Sequence, residues 1–309
     1  MGDVDEVFDV DEAPVGLEAS DVDGMVARIA SIEPNWKAPA QPIEVGSGRR
    51  WTPHLVREDK NQVLHVHLGE SMPGFVRRRL KGAVEQGASV VIAVEFSALY
   101  DVDMLDLCAE LDAQVFVLRD LDTHKKPRHY LAALADLSIP VTSEVRRRLT
   151  TSAWDKLPDG TSYEKGRRFE ALLAFLLSQV SDFRIFERNL RNETQEVDIV
   201  VQIDNVGSRC WNQPGVPFVL VEAKNTVETV GQPVVSLLIQ KLRTKRGRAR
   251  LGLLLTTSTI SEDARKEELR LSETDLCVAM LEGDALRELL DAEDLDEALE
   301  QIVARAMLR

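Results

Sequence analysis

Apolar residues along this chain recur with two periods, and the alternation between them predicts a layered α/β protein. Positions 21–32, 75–86 and 101–111 carry apolar residues at helical spacing. Between them lie short runs that read as strands: Trp51 to Val56, Val63 to Leu68, Ala88 to Phe96 and Gln114 to Leu118. Glu58-Asp59-Lys60-Asn61 reads as the turn between the first two, and the Pro-rich stretch Pro34 to Pro42 ends the first helix. A short helix is expected at Arg128 to Ala135, and Ile139-Pro140 marks a boundary.

Beyond it, Thr142 to Gly160 reads as a connector with a short basic helix around Arg146-Arg147-Arg148. A long helix, Tyr163 to Ser181, follows. Three strands come next, at Arg184 to Arg188, Val197 to Ile203 and Phe218 to Ala223. The rest alternates: helix 232–244, strand 251–257, helix 261–271, strand 276–281, then terminal helices at 284–290 and 295–308. The expected organisation is a tail at 1–20, an α/β domain at 21–140, a connector at 141–160 and a second α/β domain at 161–309. The terminal helices read as closing the second core, with a homodimer through them as the alternative.

Charge refines this picture. The net charge of -14 argues against general affinity for nucleic acid. Its distribution is uneven: residues 141–260 are net basic, while both flanks are net acidic. The first 20 residues are acidic without periodicity and read as a disordered tail. Cys108, Cys210 and Cys277 are too few and too far apart for a disulfide framework or a zinc site, which fits a reducing cytoplasm. No run is long and apolar enough to cross a bilayer, so no membrane partner is expected.

The candidate chemistry lies in the second domain. Val219-Leu220-Val221-Glu222-Ala223-Lys224 reads as a buried strand ending in two polar residues. Side chains alternate along a strand, so Glu222 and Lys224 point the same way. Asp198 sits in a second strand, and Glu170 opens the apolar run Phe169 to Leu177 of the long helix. Two carboxylates on adjacent strands, with the Ala223 carbonyl, would converge on one magnesium ion, and Glu170 would reach it directly or through a water. Lys224 would orient or help deprotonate an attacking water and stabilise developing charge. This is the equipment for phosphodiester hydrolysis. Clustered carboxylates repel when no cation is bound, so removing Asp198 or Glu222 should relieve strain in the metal-free protein.

Four segments in order, Gly166-Arg167-Arg168-Phe169-Glu170, Glu196-Val197-Asp198-Ile199-Val200, Val221-Glu222-Ala223-Lys224 and Gly252-Leu253-Leu254-Leu255-Thr256-Thr257, resemble the Mrr-like restriction-endonuclease domain. That domain is a branch of the PD-(D/E)XK nuclease superfamily. The resemblance covers roughly positions 160 to 285. It implies an αβββαβ core and cleavage of DNA dependent on magnesium, with manganese as a substitute, in a setting such as antiviral defence. It also implies that DNA contacts the cluster Lys241, Arg243, Lys245, Arg246 and Arg248, one helix after the Glu222 strand. Gln240 is a further candidate beside the metal. Two departures stand out: an insertion at about 204–217, and no evident winged-helix reader at the N-terminus.

The first domain offers less. It lacks a Gly-rich phosphate loop. It reads as a Rossmann-like regulatory module, or as a degenerate nuclease domain with His54 where the aspartate would stand. His65 and His67 share a strand face, and Arg77-Arg78-Arg79 with Lys81 forms a basic helix face. Two other functions stay open: an inactive nuclease fold used for interaction, and an effector nuclease gated by a ligand of the first domain.

Overall fold

The computed structural model describes residues 19–45, 49–69, 71–191, 196–204, 207–212, 216–270 and 275–308. The expected acidic tail therefore lies almost wholly outside the described residues. The chain divides into two compact units, Met1–Arg128 and His129–Arg309.

The first unit opens with α1 (Ala19–Ile32) and a small antiparallel pair, β1 (Ile43–Glu44) and β2 (Arg50–Trp51). There follow β3 (Leu55–Arg57), β4 (Gln62–His67), α2 (Gly74–Glu85), β5 (Ser89–Val94), α3 (Val102–Leu111), β6 (Gln114–Val117) and β7 (Arg128–His129). The last five strands form a sheet in the order β3-β4-β5-β6-β7. β4, β5 and β6 are mutually parallel, joined by α2 and α3. Two successive βαβ units give the Rossmann-like layout. The Glu58–Lys60 turn closes on Asn61 in the left-handed region, with φ 47°. His54 is part of the local scaffold: its Nδ1 accepts the Val66 N–H at 2.7 Å.

The second unit begins with α4 (Tyr130–Asp136), α5 (Ser143–Asp155) and α6 (Ser162–Ser178). The boundary thus falls before α4, not at Ile139-Pro140. The reason is burial: Tyr130 to Ala135 are all buried, and α4 packs on α6. Nor is the 141–160 stretch a mere connector. α5 spans thirteen residues, and Val145, Leu149 and Ala153 bury one face of it. Arg146 is buried too, donating to the carbonyls of Leu290, Ala292 and Glu293 at the end of a later helix.

α6 starts at a capping box, where Thr161 and Glu164 satisfy each other's backbone N–H groups. After it come β8 (Phe183–Arg191), β9 (Glu196–Ile203), β10 (Phe218–Lys224), α7 (Gln232–Thr244), β11 (Ala249–Thr256), α8 (Glu262–Leu269), β12 (Cys277–Leu281), α9 (Gly283–Asp291) and α10 (Leu295–Met307). The sheet order is β12-β11-β10-β9-β8. β8, β9 and β10 form an antiparallel meander, and β11 and β12 add in parallel to β10. The run α6-β8-β9-β10-α7-β11 is the expected αβββαβ core.

β10 is the central strand, and Val219, Leu220 and Val221 are buried on both faces. Leu220, Val200 and Leu254 pack under α7 with Val235, Leu238, Ile239 and Leu242. A Cβ on Gly252 would stand 3.2 Å from the Leu238 and Leu242 side chains. Glycine there lets α7 lie close on the sheet. Leu286, Leu289, Leu290, Leu295, Leu299 and Val303 of α9 and α10 complete the core.

Candidate active site

Register brings the two strand carboxylates together. β9 and β10 pair as far as Ile199 opposite Val221. The next step along both strands is Asp198 opposite Glu222, just where the ladder stops. Opposed residues of an antiparallel pair share a face. The open ladder is filled by a side chain, as Asp198 Oδ2 accepts the Ala223 N–H at 2.7 Å.

The Ala223 carbonyl follows from strand geometry. A residue's N–H and C=O point to the same neighbouring strand. Lys224 faces β11, because its carbonyl accepts from Thr257 N at 3.1 Å and from Thr256 Oγ1 at 2.9 Å. Ala223, one residue earlier, therefore presents its carbonyl towards the Asp198 side.

Glu222 is almost fully buried and both its oxygens are engaged. Lys224 Nζ lies 2.6 Å from Oε1, and Lys241 Nζ lies 2.5 Å from Oε2. The Lys241 side chain is only 4% exposed. This corrects the expectation that Lys241 faces DNA: it is a buried counter-ion to Glu222. It stands three residues after Leu238, beside the apolar stripe of α7, and helical side chains lean towards the N-terminus. That lean carries its ammonium along the sheet to Glu222. Its neighbour Gln240 is exposed, away from the carboxylates.

The remaining basic residues of that cluster sit elsewhere. Arg243, Arg246 and Arg248 are exposed and Lys245 is half-buried. The Arg248 carbonyl accepts the N–H of Phe218, the first residue of β10. Phe218 and Glu222 are four residue steps apart on the strand, about 13 Å at roughly 3.3 Å per residue. The cluster is thus at the opposite end of the sheet from the carboxylates.

Glu170 is half-buried, with Arg167 Nη1 3.4 Å away. It is close enough to push up Asp198, though less than burial and Glu222 do. Among the described residues, no three acidic, imidazole or thiol side chains gather closely enough to hold a metal alone. Asp198, Glu222 and the Ala223 carbonyl are all hard oxygen donors, and magnesium takes such donors while keeping several waters. The donor chemistry fits that ion.

Burial, reinforced by Glu222, pushes the Asp198 carboxyl up to about 6. Burial also opposes the charge of Lys224, but attraction to Glu222 outweighs it and holds that ammonium above the usual lysine range. Lys224 is thus a firm hydrogen-bond donor, not a ready base. Asp198 gives a test on the metal-free protein. A carboxyl raised above its unfolded value of 3.8 binds extra protons when folded, so stability falls as pH rises from about 4 to about 6. Asp198→Asn removes this loss, on the order of 2 kcal/mol. With chelator present, the variant should melt several degrees above wild type at pH 8 and with it at pH 4. Equal melting at pH 8 would mean the carboxylate carries no such penalty.

Residues 163–290 match the family model Mrr_cat, described as restriction endonuclease. No curated protein matches the chain. Among solved structures, the crystal structure of protein VC1899 from Vibrio cholerae is similar at 12% identity and a TM-score of 0.28. That alignment covers 75% of this chain and 80% of that one. Residues 163–290, which include Glu170, Asp198, Glu222 and Lys224, are thus similar to that restriction-endonuclease family, consistent with a nuclease domain of the PD-(D/E)XK type.

Proposed function

We propose that the second unit is a divalent-metal-dependent DNA endonuclease, with magnesium as its resident ion and manganese as a substitute. The observation that carries this reading is the opposition of Asp198 and Glu222 at the end of the β9–β10 ladder, with Lys224 beside them. Asp198, Glu222 and the Ala223 carbonyl would hold the ion, and Glu170 would reach it through a water. Bound there, the ion would polarise the scissile phosphoryl group and lower the pKa of an attacking water. Lys224 donates hydrogen bonds to that water or to a phosphoryl oxygen, where its fixed charge opposes the charge that develops. Burial of Glu222 against α7 keeps bulk water from its inner side and preserves its orientation.

The proposed setting is the cytoplasm, and the proposed role is defence against foreign DNA, viral DNA included. The first unit, residues 21–128, would regulate or target the nuclease. The test is nicking and linearisation of supercoiled plasmid in magnesium, with chelator and Asp198→Asn as controls. Cleavage that persists in chelator, or at wild-type rate in Asp198→Asn, would sink the proposal.

One observation favours a second reading. Both oxygens of Glu222 are occupied by ammonium groups, which is also how an inert nuclease fold would neutralise a leftover buried carboxylate. Calorimetric titration with magnesium separates the two. The nuclease binds the ion and gives up a lysine contact, whereas the inert scaffold shows no heat above dilution.

A further inference from the structure

We infer that duplex DNA lies across a surface at the catalytic end of the second sheet, formed by one face of α6 and the 225–229 loop, and not on the basic α7–β11 turn. This rests on the nuclease reading above and deepens it.

The α6 face is built by helical spacing. Tyr163, Gly166, Arg167 and Glu170 fall at i, i+3, i+4 and i+7, so they share one side of the helix. Tyr163 is 74% exposed, and the Arg167 guanidinium lies 6.0 Å from its ring centroid. A Cβ added at Gly166 would meet nothing within 4 Å, so the face between them is open. The stripe leads to Glu170 and hence to Asp198. Seven residues of helix span about 10 Å. Phosphates on one strand advance about 3.4 Å each, so the stripe matches the length of about three nucleotides.

The loop is tied to α6 and to the catalytic strand. Asn225 directly follows Lys224, and its Nδ2 donates to the Lys165 carbonyl of α6 at 3.0 Å. Thr257 Oγ1 donates to Asn225 Oδ1 at 3.0 Å and accepts the Thr226 N–H at 3.3 Å. The Val227 carbonyl accepts from Ser258 Oγ at 3.4 Å. At the tip of this braced loop, Val227 is 99% exposed. A lone exposed valine needs no explanation in general. This one stands three residues beyond Lys224, on the loop that leaves the catalytic end of β10. Arg167 suits a phosphate oxygen, Tyr163 a sugar or base face, and Val227 the floor of a groove. The rival turn is the denser basic cluster, but it lies at the far end of the strand.

The experiment measures binding of a fluorescent duplex to the full-length chain across a salt series, in an Asp198→Asn background, with plasmid cleavage by the wild-type protein run in parallel. Gly166→Glu and Val227→Asp should each weaken binding at least tenfold. Arg167→Ala should lower the slope of log K against log salt by about one. Arg246→Glu combined with Arg248→Glu should change affinity less than twofold. The reverse pattern, with wild-type cleavage intact, overturns this surface and leaves the nuclease reading standing. Absence of both cleavage and binding overturns both.

Discussion

Glu222→Gln is expected to abolish DNA cleavage and to destabilise the folded domain, whereas Asp198→Asn abolishes cleavage and stabilises the metal-free domain above pH 6. Both lose a carboxylate from the proposed metal site. A loss on the order of 10³-fold in turnover is the scale for removing one preorganised electrostatic group. Their stabilities diverge because their surroundings differ. Asp198 is half-buried, and burial, with Glu222 beside it, pushes its carboxyl up to about 6, so its charge is a burden in the folded state. Glu222 has two cations bound to it, one of them Lys241 at 4% exposure. Neutralising Glu222 leaves that ammonium buried beside an amide, and breaking a buried pair from one side costs about 3 kcal/mol. For a unit of this size that is a fall of roughly 6–12 °C in Tm. The simpler expectation, that removing either carboxylate relieves repulsion, therefore holds for one residue and reverses for the other. Plasmid cleavage and thermal melting of both variants at pH 8 decide it. A Glu222→Gln protein that melts with wild type would mean the pairing is incidental.

Most elements were legible because burial imposes a period. The β10 run Val219-Leu220-Val221 and the apolar spacing of α7 leave little choice of structure, and the nuclease motif lies at their ends. Three features escaped the one-dimensional reading. Lys241 looked like part of a basic surface because it adjoins Arg243, Lys245 and Arg246 in sequence. Its place beside the Leu238–Leu242 stripe was the available signal, and only the close approach of α7 over Gly252 converts that place into a contact with Glu222. The location of the basic turn was also recoverable. In a β-helix-β crossover, the helix carries the chain back to the starting end of the next parallel strand. A turn immediately before β11 must then lie opposite the carboxyl end of β10, where Glu222 and Lys224 stand. α4 and α5 were assigned too loosely for another reason. Their burial depends on neighbours distant in sequence, such as the α9 carbonyls that receive Arg146.

Lys241→Met is expected to weaken magnesium binding or turnover by 10- to 100-fold, although Lys241 touches neither DNA nor the proposed ion. Its ammonium fixes Oε2 of Glu222, while Lys224 holds Oε1. Without it the carboxylate plane is free to turn about its terminal bond. Groups that orient a metal-binding carboxylate from behind have effects of this size. Methionine fills similar apolar space, so packing loss is small and the change isolates the charge. Stability should fall by about 2 kcal/mol, less than for Glu222→Gln, because Glu222 keeps its bond to Lys224. The double variant Glu222→Gln, Lys241→Met removes both charges and leaves neither unpaired. It should melt above Glu222→Gln alone, with a coupling of at least about 1.5 kcal/mol between the two positions. Lys241→Arg should not restore the wild-type rate, since the guanidinium is larger and the site has no exposed room for it. The rate measured against magnesium concentration separates weaker binding from slower turnover. If the single effects simply add, and Lys241→Met cleaves as wild type does, Lys241 is a buried cation with no part in holding Glu222.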